Sequence, residues 1–255
     1  MKALIKIGGS LLDDPALRSD IAMQIAKIAA SGVWVTVVHG GGKQMTRFLE
    51  ERGIQSRFVG GLRVTTEETV DAVLKVLAGT VNTQLTAALC TAGARAVGLT
   101  GIDAGLATAE QLDPELGFVG VVVASDPSVL NALSDKGLLP VVACVAGGAH
   151  GEVYNVNGDS MAVAVASSWG VDRLVFLTDV SGVLDADKRI IPTLTVESCR
   201  ALIASGVASG GMQAKLNAAT DAVTGGVREV RIVKGSEPLV VKRVFAGEEI
   251  GTRIQ

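Results

Sequence analysis

Aromatic residues are scarce in this chain. Phe, Tyr and Trp together make up 3% of its 255 residues, too few for the stacking platforms that hold single-stranded nucleic acid. A basic excess is missing as well. Lys and Arg number 23 against 26 Asp and Glu, a net charge of −3, which argues against a non-specific polyanion binder. Nucleic acid is therefore not an expected partner. No apolar run reaches the roughly 18–20 residues of a spanning helix; the longest, "LLPVVACVAGGA" at 138–149, is short and contains Pro140. A membrane is not expected either. Met1 is followed at once by a strand-like segment and a glycine turn, so no secretory leader is expected. The three cysteines, Cys90, Cys144 and Cys199, lie far apart without metal or redox spacing. They read as reduced core thiols of a cytoplasmic protein.

Glycine is abundant, at 31 residues against a usual share of about 7%, and its placement is informative. Short β-branched runs alternate with longer helical patterns. The runs are "ALIKI" (3–7), "VWVTVV" (33–38), "RAVGL" (95–99), "LLPVVA" (138–143), "RLVFL" (173–177) and "EVRIV" (229–233). Helices are expected over 15–32, with Pro near the start and Gly past the end, and over 65–79, where Val70, Val73, Leu74 and Leu77 repeat at helical spacing. Others fit 126–136, 158–169, 196–205 and 211–225. Near-continuous apolar strands separated by helices predict a three-layer α/β/α sandwich with a largely parallel central sheet. The segments 100–124 and 144–156, rich in Gly, Asp and Asn, read as hairpins flanking that sheet. A soft boundary near 168–172 divides a longer first lobe from a shorter second one.

Two glycine loops end strands. "ALIKIGGSLL" (3–12) carries Lys6 just before Gly8 and Gly9, and "WVTVVHGGGKQM" (34–45) carries His39 before Gly40, Gly41 and Gly42. Neither is a P-loop, because Val37 and Gln44 stand where a glycine and a Ser or Thr are required. Neither is a dinucleotide fingerprint, because Met45 occupies the third glycine position. Free backbone N–H groups at such strand ends, backed by a helix N-terminus, cradle an anion. Lys6 is either a gatekeeper charge on an edge strand or a ligand group. A first strand in a doubly covered sheet should be central, where an unpaired lysine is costly.

Further on, "YNVNGDSMAVAVA" (154–166) places Asn155, Asn157 and Asp159 before an apolar helix, and any of them could be a helix cap. "VFLTDVSGVLD" (175–185) ends a strand in a polar turn. "ASGGMQAKLNAA" (208–219) sets Gly210 and Gly211 ahead of a helix with Lys215 expected in its first turn. A cation there opposes the helix dipole, and a nearby phosphate removes the conflict.

Taken in order, "IKIGGSLL", "VVHGGG", "GLRVT" (61–65), "LDPELGFVG" (112–120), "LPVVA", "NVNGD", "LTDVSGVL", "GGMQAK" and "GTRI" (251–254) closely resemble the amino acid kinase family. Within it they resemble the branch that phosphorylates the side-chain carboxylate of N-acetyl-L-glutamate in arginine biosynthesis. The resemblance implies the amino acid kinase fold in two lobes. Residues 1–168 would bind the acid and dimerise, and 169–255 would bind ATP. It implies that Lys6 and Lys215 neutralise charge on the transferring γ-phosphoryl, with Asp159 orienting both. Gly8 and Gly9 would donate backbone N–H groups to the phosphates. Gly41, Gly42, Arg63 and Asn155 would hold the acetylated amino acid, Arg63 gripping its α-carboxylate with two parallel hydrogen bonds. Asp179, Val180, Ser181, Gly182, Val183 and Leu184, with Val207, Ala208, Ser209, Gly210 and Gly211, would line the nucleotide site. Mg2+ would be carried mainly by ATP, with no protein metal site.

Two positions depart from many relatives. Lys43–Gln44 follows the glycines where a proline often stands, and "GFVGVVV" lacks the acidic residue that often follows this glycine. Arginine-inhibited members carry a helix before the first strand. Lys6 comes too early for one, so an arginine-insensitive homodimer is expected, with the 65–79 helix lying where the family dimerises. The competing readings are a carrier-linked aminoadipate kinase of lysine biosynthesis and a catalytically silent amino acid or nucleotide sensor. A silent sensor should have lost Lys6, Asp159 or Lys215, and all three are present.

Overall fold

A computed structural model describes all residues, 1–255. Strand β1 (Lys2–Ile7) leads through a single helical turn, α1 (Gly9–Leu12), into α2 (Pro15–Ala30). That helix opens on Asp14, whose side chain accepts from the N–H groups of Ala16 and Leu17, with Pro15 in the first turn. There follow β2 (Trp34–His39), α3 (Gly42–Glu50), a small hairpin β3 (Phe58–Val59) and β4 (Leu62–Arg63), and the long helix α4 (Glu67–Thr91). Then come β5 (Ala96–Thr100), β6 (Ala107–Gln111), β7 (Val119–Ser125), α5 (Ser128–Asp135), β8 (Leu139–Ala143), β9 (Val145–Gly147) and β10 (Val153–Val156). The chain continues with α6 (Gly158–Trp169), β11 (Arg173–Thr178), β12 (Thr193–Leu194), α7 (Val196–Ala204), α8 (Gly210–Thr224), β13 (Glu229–Lys234), α9 (Val240–Phe245) and β14 (Thr252–Ile254).

Eight strands form one sheet in the order β12-β14-β13-β11-β1-β2-β8-β5. Only the β13–β14 pairing is antiparallel. Helices cover both faces, so the α/β/α sandwich and its largely parallel sheet are as expected. β1 is central, paired to β2 on one side and β11 on the other. Because side chains alternate across a strand, Leu4 joins the apolar core on one face and Ile5 and Ile7 the core on the other. Lys6 thus lies on the Leu4 face. That face is the one packed by α6 and α8, which supply Met161, Val165 and Leu216 to the same core.

Three expectations need correction. The 65–79 helix runs on to Thr91, through a π-helical stretch over Leu74–Val81. At 25 residues it is long and apolar enough to match a membrane span by length and composition. It is amphipathic, however. Val73, Leu77, Leu85 and Leu89 are buried, while Glu67, Glu68, Asp71, Lys75 and Gln84 face outward. The flanking hairpins do not act separately: β6, β7, β9 and β10 close into a small four-stranded barrel. Of the cysteines, Cys144 and Cys199 are buried but Cys90 is exposed, because it falls on the outer face of α4.

Candidate active site

Parallel strands deliver their loops to one edge of the sheet, the edge where ligands of such sheets bind. Here the ends of β1, β2, β8 and β11 bring Gly8–Gly9, Gly40–Gly42, Cys144 and Asp179 to that edge. The two glycine loops touch. A Cβ on Gly9 would lie 2.9 Å from both the Gly41 Cα and the Gly42 nitrogen. Gln44, one of the two departures after the glycines, ties the loops together by donating its side-chain amide to the Gly9 carbonyl at 2.9 Å. Gly9 and Ser10 open α1, and Gly42 and Lys43 open α3, so their N–H groups have no partner within those helices. Gly8 is different. Its N–H is given to Leu177 O at 3.0 Å, so the unpaired N–H donors of this loop begin at Gly9.

At the start of α6 the three possible caps separate. Asn157 is the cap, accepting from the N–H groups of Asp159 and Ser160. Asn155 sits on β10 and donates to Thr65 Oγ1 at 3.1 Å. Asp159 is left free to bind cations. Its Oδ1 lies 2.6 Å from Lys6 Nζ and its Oδ2 3.1 Å from Lys215 Nζ. Both contacts are ion pairs, and the Lys215 contact is also a hydrogen bond. Lys215 is the sixth residue of α8, in its second turn rather than the first as expected. Glycine at 158 leaves room for the stem of Lys6: a Cβ there would stand 3.1 Å from Lys6 Cε and crowd it. Burial alone would push the Asp159 carboxyl up, but the ammonium groups of Lys6 and Lys215 outweigh it and hold it below the usual carboxylate range. One carboxylate therefore fixes two lysines, one from the middle of the sheet and one from α8.

Beside this triad is a cavity of about 180 Å³ lined by Gly41, Gly42, Arg63, Cys144 and Asn155 among others. It meets a larger cleft, about 570 Å³, at Leu62, Val119 and Asn157, and Asp159 opens into that cleft. Val121, where an acidic residue often stands, forms part of its wall. The four expected acid-binding residues thus surround one space. Arg63 is 8% exposed and already engaged. Its Nη2 donates to Gly42 O (3.1 Å) and Thr46 Oγ1 (2.7 Å), its Nη1 donates to Ser56 Oγ, and Phe58 stacks on it at 4.7 Å. With both Nη2 hydrogens used, neither fork of the guanidinium is free for a two-point grip until one of these bonds is released.

Elsewhere, Asp179–Leu184 leaves the end of β11. Thr178 Oγ1 donates to Asp179, and Val183 N–H to Thr252 Oγ1 at 2.8 Å. Val180, Leu184 and Val207 are exposed apolar side chains, whereas Ala208 is buried. Ser209 stands in extended backbone at the cap of α8 without using its side chain, and Gly210 takes φ 53°. Ser181, Gly182 and Gly211 complete these two stretches, and neither stretch lines the two cavities above. His39 is fully buried and its pKa is pushed down to about 4 by burial, so it is neutral and not a proton-transfer group at pH 7. No cluster of three His, Cys, Asp or Glu residues exists that could hold a metal.

The sequence profile of the Amino acid kinase family matches residues 1–234. This chain belongs to the amino acid kinase family. Among family members, it is 59% identical over 254 residues to the acetylglutamate kinase of Solibacter usitatus strain Ellin6076, spanning 100% of this chain and 99% of that one. It is 46% identical to the acetylglutamate kinase of Acidobacterium capsulatum, covering 98% and 99% of the two chains. Among solved structures, smu.665 from Streptococcus mutans UA159 superposes with a TM-score of 0.87 at 27% identity, over 100% of this chain and 98% of that one. The N-acetylglutamate synthase of Neisseria gonorrhoeae, complexed with coenzyme A and N-acetyl-glutamate, gives 0.89 at 25% identity over 99% of this chain and 59% of that longer one.

Thr46, Ser56 and Phe58, which hold Arg63, were not among the expected site residues. Of these, Phe58 and Ser56 lie just before "GLRVT" and could have been suspected from that neighbourhood.

Proposed function

We propose that this amino acid kinase transfers the γ-phosphoryl group of ATP to the side-chain carboxylate of N-acetyl-L-glutamate, the reaction of an acetylglutamate kinase. The observation that carries the reading is Asp159 holding Lys6 and Lys215 on its two oxygens, beside a cavity lined by Arg63, Asn155 and the glycine loop. The 59% identity to an acetylglutamate kinase along the whole chain supports the choice of acid.

The chemistry asks little of the protein. A side-chain carboxylate with a pKa near 4.3 is ionised at neutral pH, so it attacks phosphorus without a general base, in keeping with the neutral, buried His39. Catalysis then reduces to alignment and charge stabilisation. Lys6 and Lys215 face the transferring group, and Asp159 keeps two like charges close together at a fixed spacing. Gly9 N–H and the N-terminus of α3 supply further donors. Arg63 and Asn155 orient the acid. We assign the nucleotide to Asp179–Leu184 and Val207–Gly211, and the division of labour to residues 1–168 for the acid and 169–255 for ATP. Mg2+ would be held by phosphate oxygens and water, because Asp159 is taken by two lysines and no acidic cluster offers a site. Three unpaired thiols fit a reducing, cytoplasmic setting. A homodimer formed through α4 is part of the same proposal, with light scattering as its check.

The test is ATP- and magnesium-dependent acyl phosphate formation, trapped with hydroxylamine. N-acetyl-L-glutamate is compared with glutamate and N-acetyl-aminoadipate, each with and without L-arginine. Strong preference for N-acetyl-L-glutamate supports the assignment. No product from any of the three overturns it, and the arginine arm measures the expected insensitivity.

A further inference from the structure

Helix α4 forms the floor beneath the glycine loop that follows β2. A Cβ on Gly41 would stand 2.5 Å from Leu77 Cδ2 and 3.3 Å from Val81 Cγ2, so the loop rests directly on this helix. The π-helical stretch ends at Val81, and π-turns recur at functional sites. The next residue, Asn82, is 5% exposed and projects into the sheet. Its Nδ2 lies 2.9 Å from Val141 O, 3.3 Å from Leu99 O and 3.0 Å from His39 Nε2. Two carbonyl oxygens on the same atom fix it as the NH2 end of the amide. The Oδ1 points instead toward Gly98, where any side chain would strike it.

An amide nitrogen cannot accept a hydrogen bond, and it has two hydrogens to give. One goes to Val141 O, and the other is shared between His39 Nε2 at 3.0 Å and the more distant Leu99 O at 3.3 Å. His39 Nε2 must therefore present a lone pair to the amide, which leaves the ring proton on Nδ1. That atom lies 3.0 Å from the Gly40 carbonyl, so it donates there. The His39 carbonyl is held too, accepting from Cys144 Sγ at 2.8 Å. In a trans peptide the C=O and the following N–H point in opposite directions. Turning Gly40 O toward the buried ring turns Gly41 N–H away from it, and Gly40, Gly41 and Gly42 all line the cavity.

We propose that Asn82 is a positioning residue for the reaction: it fixes His39 as the Nδ1-protonated neutral tautomer, which locks the Gly40–Gly41 peptide with its N–H toward the acid substrate. The proposal rests on the reading that this cavity holds the acid. It assigns the buried histidine a backbone-orienting role and extends the substrate site to a helix whose other face is on the protein surface.

The tautomer is read on the full-length wild-type protein labelled with 15N-histidine, by long-range 1H–15N correlation at pH 7. Only His39 and His150 contribute signals, and His150→Gln assigns them. A protonated Nδ1 with a bare Nε2 on His39 is expected. A proton on Nε2, or an imidazolium, overturns the proposal whatever the variants do. Asn82→Ala should raise the KM for N-acetyl-L-glutamate by about tenfold or more, the cost of one lost orienting hydrogen bond, and change the KM for ATP less than about threefold. Adding His39→Gln should recover much of that loss, because a glutamine amide donates to Gly40 O without a tautomer to be set. An unchanged KM in folded Asn82→Ala refutes the positioning role even if stability falls. If the wild type itself fails to phosphorylate N-acetyl-L-glutamate, the functional assignment fails, while the tautomer measurement still decides the Asn82–His39–Gly40 geometry.

Discussion

Asp159 Oδ1 lies 2.6 Å from Lys6 Nζ, tying the start of α6 to the central strand of the sheet. With Lys215 on its other oxygen, the carboxylate sets the spacing of two cations that come from distant parts of the chain. Each lysine is thereby a preorganised charge held by the carboxylate that opens into the cleft. Lys215→Ala should lower turnover by roughly 10²–10³ and leave nucleotide affinity close to wild type. Single-turnover kinetics and a nucleotide titration check this, and equal turnover in the two proteins would refute the role.

Arg63 is stacked on Phe58 and bonded to Thr46, Ser56 and Gly42. Lysine cannot reproduce that planar set of donors. Arg63→Lys should cost about 1.5–3 kcal/mol of acid binding, the range for a hydrogen bond to a charged group, or roughly 10- to 100-fold in the KM for N-acetyl-L-glutamate. The KM for ATP should not follow. Parallel increases in both constants would show that the change has disturbed the fold instead.

The glycines of the two loops are not equivalent. A methyl group on Gly9 meets backbone atoms of Gly41 and Gly42, while one on Gly42 meets nothing within 4 Å. Gly9→Ala should therefore shift both loops and lower the melting temperature. Gly42→Ala should melt as the wild type does and lose activity only where its methyl group crowds the acid. Thermal melts of the two variants, read beside their activity, decide the point. A Gly9→Ala protein as stable as wild type would mean that the loops are not in contact.

His39 gives the fold a particular acid sensitivity. Burial lowers its pKa to about 4, although its bond to the Gly40 carbonyl pulls the other way. The unfolded chain takes up the proton near 6.5, so between about 6.5 and 4 only the unfolded state is protonated. Stability is thus full above about pH 6.5 and is lost as pH falls toward 4, by on the order of 3 kcal/mol. Asp159 and Glu229, held below their ordinary values of 3.8 and 4.5 by their cationic neighbours, contribute stability that begins to be lost as pH falls past those values. Denaturant unfolding from pH 7 to 4 should show the loss in wild type and a flatter profile in His39→Gln.

Much of this protein is set by local sequence. Near-continuous apolar runs, helix signals such as Pro15 and Asn157, and glycines at strand ends are short-range patterns. They are enough to locate the strands of the sheet, the helices over 158–169 and 196–205, and the loops that meet at its edge. Lys6 and Lys215 stood out beside such signals, whereas Asp159 was singled out from the other cap candidates only by the family resemblance. What local sequence does not carry is which side chains meet. Three candidate caps stood before α6, and only the fold made Asn157 the cap and freed Asp159. The hairpins closed into a barrel, and α4 ran past Gly79, because packing outweighs weak local preferences. Gly8 gave its N–H to Leu177, Arg63 bonded to three neighbours, and Asn82 reached His39 across the core. Those pairings depend on the order of strands in the sheet, and that order is decided by burial over the whole chain rather than by any stretch of it.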